Sequence, residues 1–336
     1  MTDRPGARTG LIVGAAAAML PDLDFLYIGS RLDYLKEHRG WTHSFLVLPV
    51  LALAVALVAK LVARRARLVT LWLFAAVGIA SHIVFDWITS FGTMFLTPLS
   101  RARYSLDWVF ILDPFFTGIV LLTLVFALVD RERGRRIAAV GAGLLVLYVG
   151  FCAAMHDRAL SIWKRLDAPP AGARAAVLPQ FLSPFRWLGL TERPDSVHAA
   201  FFDIGPFAEG VDDPRPPEHW GQILASLRDS YPPPGRVHIK SFERPPGSAA
   251  LDAALALPDI RIYLAFARFP LETVHPANGG ETEVVVQDLR FLPWFTGPWE
   301  RGGENGLRRQ PFVYRVLLDR TLRAIERGFV RSGGRN

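Results

Sequence analysis

Histidine and aspartate residues recur at close spacing in the first third of this 336-residue chain, beside long apolar runs. The segment HRGWTHSF, residues 38–45, places two imidazoles five positions apart, and ASHIVFDWITSFGT, residues 80–93, contains His82 and Asp86 four positions apart. On a helix, residues four apart lie on one face, about one turn from each other. Imidazoles and carboxylates together suit zinc, manganese or iron better than a thiolate-preferring metal. The spacing therefore indicates a site for a divalent metal ion.

Two acidic motifs add candidates: LPDLDFL supplies Asp22 and Asp24, and YSLDWVFILDP supplies Asp107 and Asp113. The groups expected to converge on one pocket are Asp22, Asp24, His38, His43, His82, Asp86, Asp107 and Asp113.

Each motif also has a structural interpretation. His82 and Asp86 could simply hydrogen-bond to each other inside a helix bundle. Asp113 precedes a proline, as a helix N-cap does, and Asp22 or Asp24 could cap a helix or stay solvated. The neighbouring charge of Arg39 is expected to be an ordinary solvated loop charge.

The elements that must position these residues are apolar. The chain is 51% hydrophobic yet 21% charged, so the two properties must be segregated along it. Four apolar runs have about the length of a membrane-spanning helix, and a fifth is weaker because Pro21, Asp22 and Asp24 interrupt it. These runs cover residues 45–63, 68–99, 109–129, 137–155 and, for the weaker one, 11–29. A cleaved signal peptide is the alternative for the weaker run. We predict an α-helical integral membrane domain with four or five transmembrane helices over residues 1–156.

Basic residues at the ends of the runs predict the orientation. Positive charge marks cytoplasmic loops, so the N-terminus is expected in the cytoplasm, and residues 22–44, 100–108 and those after 156 on the outer side. The residues that set this orientation are Arg4, Arg8, Lys60, Arg64, Arg65, Arg67, Arg131, Arg133, Arg135 and Arg136. All eight candidate groups then lie near the outer membrane surface. Because arginine placement follows the topology, the pI of 9.9 does not indicate nucleic acid binding.

Composition changes near residue 157, where prolines become frequent and no later run is long enough to span a membrane. Residues 157–336 are therefore predicted to form a small, water-exposed α+β domain. Strands are expected in RVHIKSF and TEVVVQDLRF, and helices in SAALDAALAL and YRVLLDRTLRAIERGF.

The motifs PDLD, HRGWTHS, SHIVFDWITSFGT and DWVFILDP, in this order over roughly residues 10–130, resemble the bacterial inner-membrane metal-dependent hydrolases, some of which are known as LexA-regulated. The resemblance implies a bacterial inner-membrane protein. It also implies metal-site positions, with Asp113 a further candidate; these are Asp22, Asp24, His38, His43, His82 and Asp86.

A remoter similarity is to zinc-dependent phospholipase C and P1-type nucleases, which use helical His and Asp ligands, including a His-x-x-x-Asp motif, to cleave phosphoesters. The membrane half shows no evident His-x-x-x-Glu motif, which argues against a three-metal cluster.

Motifs and resemblance together predict a membrane-bound, metal-dependent hydrolase acting on a phospholipid or lipid-linked phosphoester. Zinc is the expected metal, with manganese and iron as the other candidates. The carboxylates considered for acid and base roles are Asp24, Asp107 and Asp113. Two alternatives remain: a transporter of metal ions or protons, and a noncatalytic membrane protein whose polar cluster only ties helices together. The expected partners are the lipid bilayer and the substrate, with no nucleic acid.

Overall fold

The computed structural model describes residues 7–206, 230–292 and 310–330. Contacts divide the chain into two units, Met1–Leu106 and Asp107–Asn336. Arg4, one of the residues that predict the orientation, lies outside the described residues. The predicted change of domain at residue 156 falls inside a continuous helix, Gly134–Leu166, and that boundary stays a prediction.

The first unit is helical. Its α-helices are α1 (Ala7–Met19), α2 (Arg31–Glu37), α3 (Leu48–Val62) and α4 (Leu68–Trp87). Two short 3₁₀ helices, Pro21–Leu26 and Trp41–His43, follow α1 and α2.

Helix α4 is the centre of this unit, because α1 and α3 both pack against it. The buried core between them consists of small or aliphatic side chains such as Ala17, Ala52 and Ala75. At Gly78 the two backbones touch, since a Cβ atom there would lie 2.1 Å from the carbonyl oxygen of Gly14. Small residues that allow such an approach are typical of packed membrane helices. This contact brings the chain that follows α1 alongside the second half of α4.

Two of the described helices, α4 and Gly134–Leu166, are long and apolar enough to cross a membrane. A third candidate is a bent pair, Arg31–His43 with Leu48–Val62, whose two parts meet at 75°. The apolar part of α1, Thr9–Met19, and the helix Pro114–Val129 are shorter than the roughly 20 residues that a bilayer requires. The N-terminal region is thus helical with two or three candidate spans, and the number of four or five stays a prediction.

The second unit combines two helices with two antiparallel sheets. It begins with α5 (Pro114–Val129) and α6 (Gly134–Leu166), which pack together. The first sheet has the order β1 (Ala175–Gln180), β2 (Ser183–Glu192), β3 (Ser196–Asp203) and β4 (Lys240–Glu243). Helices α7 (Ala249–Leu255) and α8 (Pro258–Phe266) precede the second sheet. That sheet has the order β5 (Pro270–Pro276), β6 (Thr282–Asp288), β7 (Tyr314–Leu318) and β8 (Ala324–Phe329).

The prediction of a helix in YRVLLDRTLRAIERGF is wrong, because this segment forms the β7–β8 hairpin. Alternate residues of β7, Tyr314, Val316 and Leu318, are buried, which is the two-residue period of a strand. The Asp319 carboxylate accepts backbone hydrogen bonds from Thr321 and Arg323, and these bonds close the turn. The other three expectations are confirmed in type: TEVVVQDLRF contains β6, SAALDAALAL contains α7, and RVHIKSF overlaps the short strand β4.

Candidate metal centre

Four of the sequence-predicted side chains meet in the first unit: Asp22, His43, His82 and Asp86. The two imidazole Nε2 atoms lie 3.2 Å apart. The Asp22 Oδ1 atom is 3.4 Å from each of them. The Asp86 Oδ2 atom is 3.1 Å from Nε2 of His43 and 3.5 Å from Nε2 of His82. We call these four residues the His/Asp cluster.

Hydrogen bonding among the four residues does not account for this geometry. Each Nε2 atom holds at most one proton, so two protons would have to serve five close contacts. The distances are also longer than the roughly 2.7–2.9 Å of charge-assisted hydrogen bonds. In the described part of the chain, the buried Asp86 Oδ2 atom has no partner with hydrogen-bond geometry.

A metal ion accounts for the same distances. Zinc bonds of about 2.0–2.1 Å in a tetrahedral arrangement separate neighbouring ligand atoms by roughly 3.3–3.4 Å. The five separations in the His/Asp cluster, 3.1 to 3.5 Å, bracket that value. Two nitrogen and two oxygen donors form a set that zinc, manganese and iron accept. The residues present therefore fit a divalent metal ion.

Three elements position the His/Asp cluster. Helix α4 supplies His82 and Asp86 four residues apart, as the sequence predicts. The close contact between α1 and α4 brings Asp22, in the 3₁₀ helix Pro21–Leu26, to the same place. His43 ends the second 3₁₀ helix, which follows a turn that only glycine fits, because a Cβ atom at Gly40 would lie 2.8 Å from the carbonyl oxygen of Glu37.

Burial differs across the His/Asp cluster. The His43 side chain is fully buried, whereas the Asp22 side chain is 57% exposed. The contacts with His43 and His82 hold the pKa of the Asp22 carboxyl well below its usual range, so Asp22 is an ionised carboxylate near neutral pH. Asp22 therefore marks the side on which solvent reaches the cluster.

A second layer of hydrogen bonds fixes His43. Its Nδ1 atom lies 2.9 Å from the Thr42 hydroxyl, which is 3.5 Å from Oδ2 of Asp24. An Nδ1–H that donates to Thr42 leaves the Nε2 lone pair directed at the His/Asp cluster, and the hydroxyl in turn donates towards Asp24. Such outer hydrogen bonds set the tautomer and the ring orientation of metal-binding histidines.

Asp24 and His38, which the sequence also predicts as ligands, lie beside the group of four and contact each other. Both carboxylate oxygens of Asp24 approach the His38 Nδ1 atom, at 2.9 and 3.0 Å. Asp24 is only 1% exposed, and His38 stacks on the ring of Tyr34. The pair is therefore an oriented His–Asp couple next to the His/Asp cluster, and its role as a metal ligand stays a prediction.

Asp107 and Asp113 lie in the second unit. Asp113 is the N-cap of α5, where it accepts a hydrogen bond from the amide of Phe116 at 2.7 Å, and the Tyr148 hydroxyl donates to its other oxygen at 2.8 Å. The capping interpretation of Asp113 is thus confirmed. Asp107 accepts from Nη1 of Arg268 at 2.6 Å. Catalytic roles for these two residues stay predictions.

Arg39 is the residue that sequence reasoning misjudged. The sequence predicts a solvated loop charge, but Arg39 is 4% exposed and its guanidinium contacts Asp86 at 2.8 Å. Its position directly beside His38 in HRGWTHS was the available signal, because His38 is itself buried.

Comparison with known proteins identifies relatives for the first part of the chain. Residues 1–159 match the family described as YdjM inner membrane protein. The inner membrane protein YbcI of Escherichia coli is 36% identical over 105 residues, which cover 29% of this chain and 58% of that protein. The uncharacterized protein YfhP of Bacillus subtilis is 26% identical over 115 residues, which cover 34% of this chain and 35% of that protein. Both matches thus span less than two thirds of the relative. No solved structure matches the chain significantly.

Proposed function

We propose that the protein is a membrane-bound, metal-dependent hydrolase, from the premise that residues 1–159 match the family described as YdjM inner membrane protein. The observation that supports the proposal most strongly is the spacing of four donor atoms in the His/Asp cluster. Asp22, His43, His82 and Asp86 would hold the ion, and zinc is the metal that the distances and donor types favour. Manganese and iron are the other candidates.

The chemistry divides between the metal and the residues beside it. A bound divalent ion polarises an ester or phosphoryl oxygen and makes water more acidic. The His38 and Asp24 pair is placed to accept a proton: Asp24 holds the Nδ1–H of His38, which leaves the Nε2 atom of His38 as the acceptor. In this proposal the proton acceptor is therefore His38, which Asp24 orients, and not a carboxylate acting alone. The Thr42 hydroxyl accepts a hydrogen bond from Nδ1 of His43, which keeps the Nε2 lone pair of His43 available to the ion.

The substrate that we propose is a phospholipid or a lipid-linked phosphoester. His82 and Asp86 belong to a helix long enough to cross the membrane, so the His/Asp cluster lies at one end of a candidate span. Large apolar side chains near Asp22 and His43 are exposed, which suits acyl chains or the membrane interface; they are Leu23, Phe25, Leu26 and Trp41. A water-soluble substrate would not require them.

The orientation belongs to the same proposal. We propose four or five crossings, a cytoplasmic N-terminus, and residues 157–336 on the periplasmic side. The His/Asp cluster would then open at the outer leaflet. Single cysteines placed at Arg64 and at Asp319, labelled in intact cells with an impermeant maleimide, test this: we expect labelling only at position 319.

The central experiment measures metal content and turnover together. Wild-type protein purified in detergent should contain metal and hydrolyse at least one substrate in a panel of phosphoesters and phospholipids. His82→Ala should lose both properties, whereas the control His275→Ala, on strand β5 of the second unit, should keep them.

Each other outcome of that experiment rejects the proposal in a different way. Folded wild-type protein that binds no divalent metal contradicts it altogether. Bound metal without turnover on the panel favours a noncatalytic membrane protein. Metal-dependent ion flux into liposomes favours a transporter.

A further inference from the structure

Arg39 contacts one carboxylate of the His/Asp cluster, Asp86, and one carboxylate beside it, Asp24. Its Nη2 atom lies 2.8 Å from Oδ1 of Asp86, and its Nη1 atom donates to the Thr89 hydroxyl at 3.2 Å. Its backbone amide donates to Oδ2 of Asp24 at 3.3 Å. One residue therefore connects the 3₁₀ helix that contains Asp24 with the helix that contains Asp86.

The burial of Arg39 is costly and needs a compensating gain. A charge with a 5% exposed side chain must be paired and hydrogen-bonded to be tolerated, and Asp86 and Thr89 provide those partners. The Arg39 backbone also has a φ angle of 61°, a left-handed conformation that is uncommon for residues other than glycine. Strain of this kind persists where the surrounding structure requires it, and here the Arg39 carbonyl accepts a hydrogen bond from Met94 at 2.9 Å.

The two oxygens of Asp86 have different surroundings because of Arg39. Oδ1 is taken by the guanidinium, whereas Oδ2 faces the Nε2 atoms of His43 and His82. A carboxylate held by one oxygen can offer only the other to an ion. Arginine suits this task because its planar fork contacts Asp86 and Thr89 at once, which a single ammonium group cannot do equally well.

We propose that Arg39 is a positioning residue of the metal centre, which holds Asp86 in a one-oxygen arrangement and so favours a compact four-ligand ion such as zinc over larger, oxygen-preferring ions. The inference rests on the proposed function, because it requires that the His/Asp cluster binds a metal. It adds a cause for metal selectivity that the four ligand residues alone do not provide.

Affinity for one metal does not test this proposal cleanly. Loss of the positive charge strengthens the binding of any cation, whereas loss of orientation weakens it. The ratio of zinc to manganese affinity separates the two effects, because both ions carry the same charge. The visible spectrum of the Co²⁺-substituted protein adds a second measurement, since its band is intense for four-coordinate cobalt and weakens as the coordination number rises.

The test compares Arg39→Gln, Arg39→Lys and the control Arg101→Gln in full-length protein. Arg101 lies in the same unit, is 49% exposed at its side chain and pairs with Glu37 instead of the His/Asp cluster. We expect Arg39→Gln to reduce the zinc to manganese affinity ratio on the order of tenfold and to lose the intense cobalt band. Arg39→Lys should fall between Arg39→Gln and wild type, and Arg101→Gln should match wild type.

The outcomes separate this inference from the proposed function. Wild-type protein that binds no metal overturns both. Wild-type protein that binds metal, together with an Arg39→Gln variant whose ratio and spectrum are unchanged, overturns the positioning role alone. If Arg39→Gln does not fold, Arg39→Lys decides, because an unchanged ratio and band in that variant reject the proposal.

Discussion

Asp86 and Asp288 are both largely buried aspartates paired with an arginine, one in the helical unit and one in the sheet unit. Asp288 accepts four hydrogen bonds, from the amides of Arg268, Phe269 and Arg290 and from the Arg290 Nε atom, at 2.7 to 3.2 Å. Both of its oxygens are thereby satisfied within the protein. Asp86 has its arginine on one oxygen only, and the other faces two imidazoles at 3.1 and 3.5 Å without hydrogen-bond geometry.

The difference separates a structural carboxylate from a binding one. A buried polar network that the protein completes by itself gives stability and needs no ligand. A buried oxygen that has no donor and faces two imidazole nitrogens is suited to binding a cation. Substitutions in the two networks should therefore have opposite consequences: loss of metal in one, and loss of folding stability with metal retained in the other.

His43 gives the largest expected effect, because its Nε2 atom contacts all three other members of the His/Asp cluster and its side chain is the more buried of the two histidines. In His43→Ala, we expect the metal content of purified protein to fall to background, as measured by inductively coupled plasma mass spectrometry. The matched control is His198→Ala, whose imidazole pairs with Asp167 on the sheet unit, 3.1 Å away. Metal retained by His43→Ala at the wild-type level would show that the ion binds elsewhere.

Asp288→Ala tests the hydrogen-bond network around Asp288, in which both carboxylate oxygens have partners within the protein. Removal of a buried carboxylate leaves the Arg290 charge and three backbone amides without their partner, and should cost about 3–5 kcal/mol of local stability. Hydrogen exchange of the β6 amides, followed by mass spectrometry in detergent, measures that loss, and the metal content should not change. Asp252→Ala, an exposed aspartate on α7, should change the exchange by less than about 0.5 kcal/mol. Equal exchange in the two variants would remove the contrast with Asp86.

The sequence predicts the helical and the sheet-containing regions and the positions of most helices, because apolar runs and β-branched segments differ strongly in pattern. It predicts the β7–β8 hairpin wrongly. The run from Tyr314 to Phe329 is rich in leucine and arginine, which favour helices, and the alternation of Tyr314, Val316 and Leu318 is too short to outweigh them. The strand conformation of this segment depends on the pairing of β7 with β6, which is distant in sequence.

At the candidate site, the four members of the His/Asp cluster could be predicted from the sequence. The spacing of His82 and Asp86 on a helix identifies a shared face, and topology predicts that Asp22 and His43 lie at the same end. The division of roles was not predictable. Whether Asp22 or Asp24 faces the Nε2 atoms of His43 and His82 depends on the rotation of the 3₁₀ helix after α1, and α1 packs against α4 through the contact at Gly78.

Gly78→Ala examines that contact directly. A Cβ atom at position 78 would lie 2.1 Å from the Gly14 carbonyl oxygen, so α1 must shift, at a cost of about 1–3 kcal/mol for overpacking. We expect a lower melting temperature in detergent and weaker metal binding, while the β6 amides keep their protection. Gly143→Ala on α6 is the control, because no atom lies within 4 Å of its Cβ position. Unchanged metal affinity in Gly78→Ala would show that Asp22 does not depend on this packing.

Thr42→Val gives the smallest expected effect. It tests whether the second layer of hydrogen bonds, which orients His43, affects metal binding. The Thr42 hydroxyl lies 2.9 Å from Nδ1 of His43, and valine preserves the shape of the side chain but removes that acceptor. The His43 Nδ1–H then lacks a partner in a fully buried position, so the tautomer that directs the Nε2 lone pair at the ion is less favoured. We expect metal affinity to fall about tenfold, as measured by competition with a chromophoric chelator. Thr42→Ser keeps the hydroxyl and should bind metal as wild type does. Equal affinity in the valine and serine variants would mean that the orientation of His43 depends on packing alone.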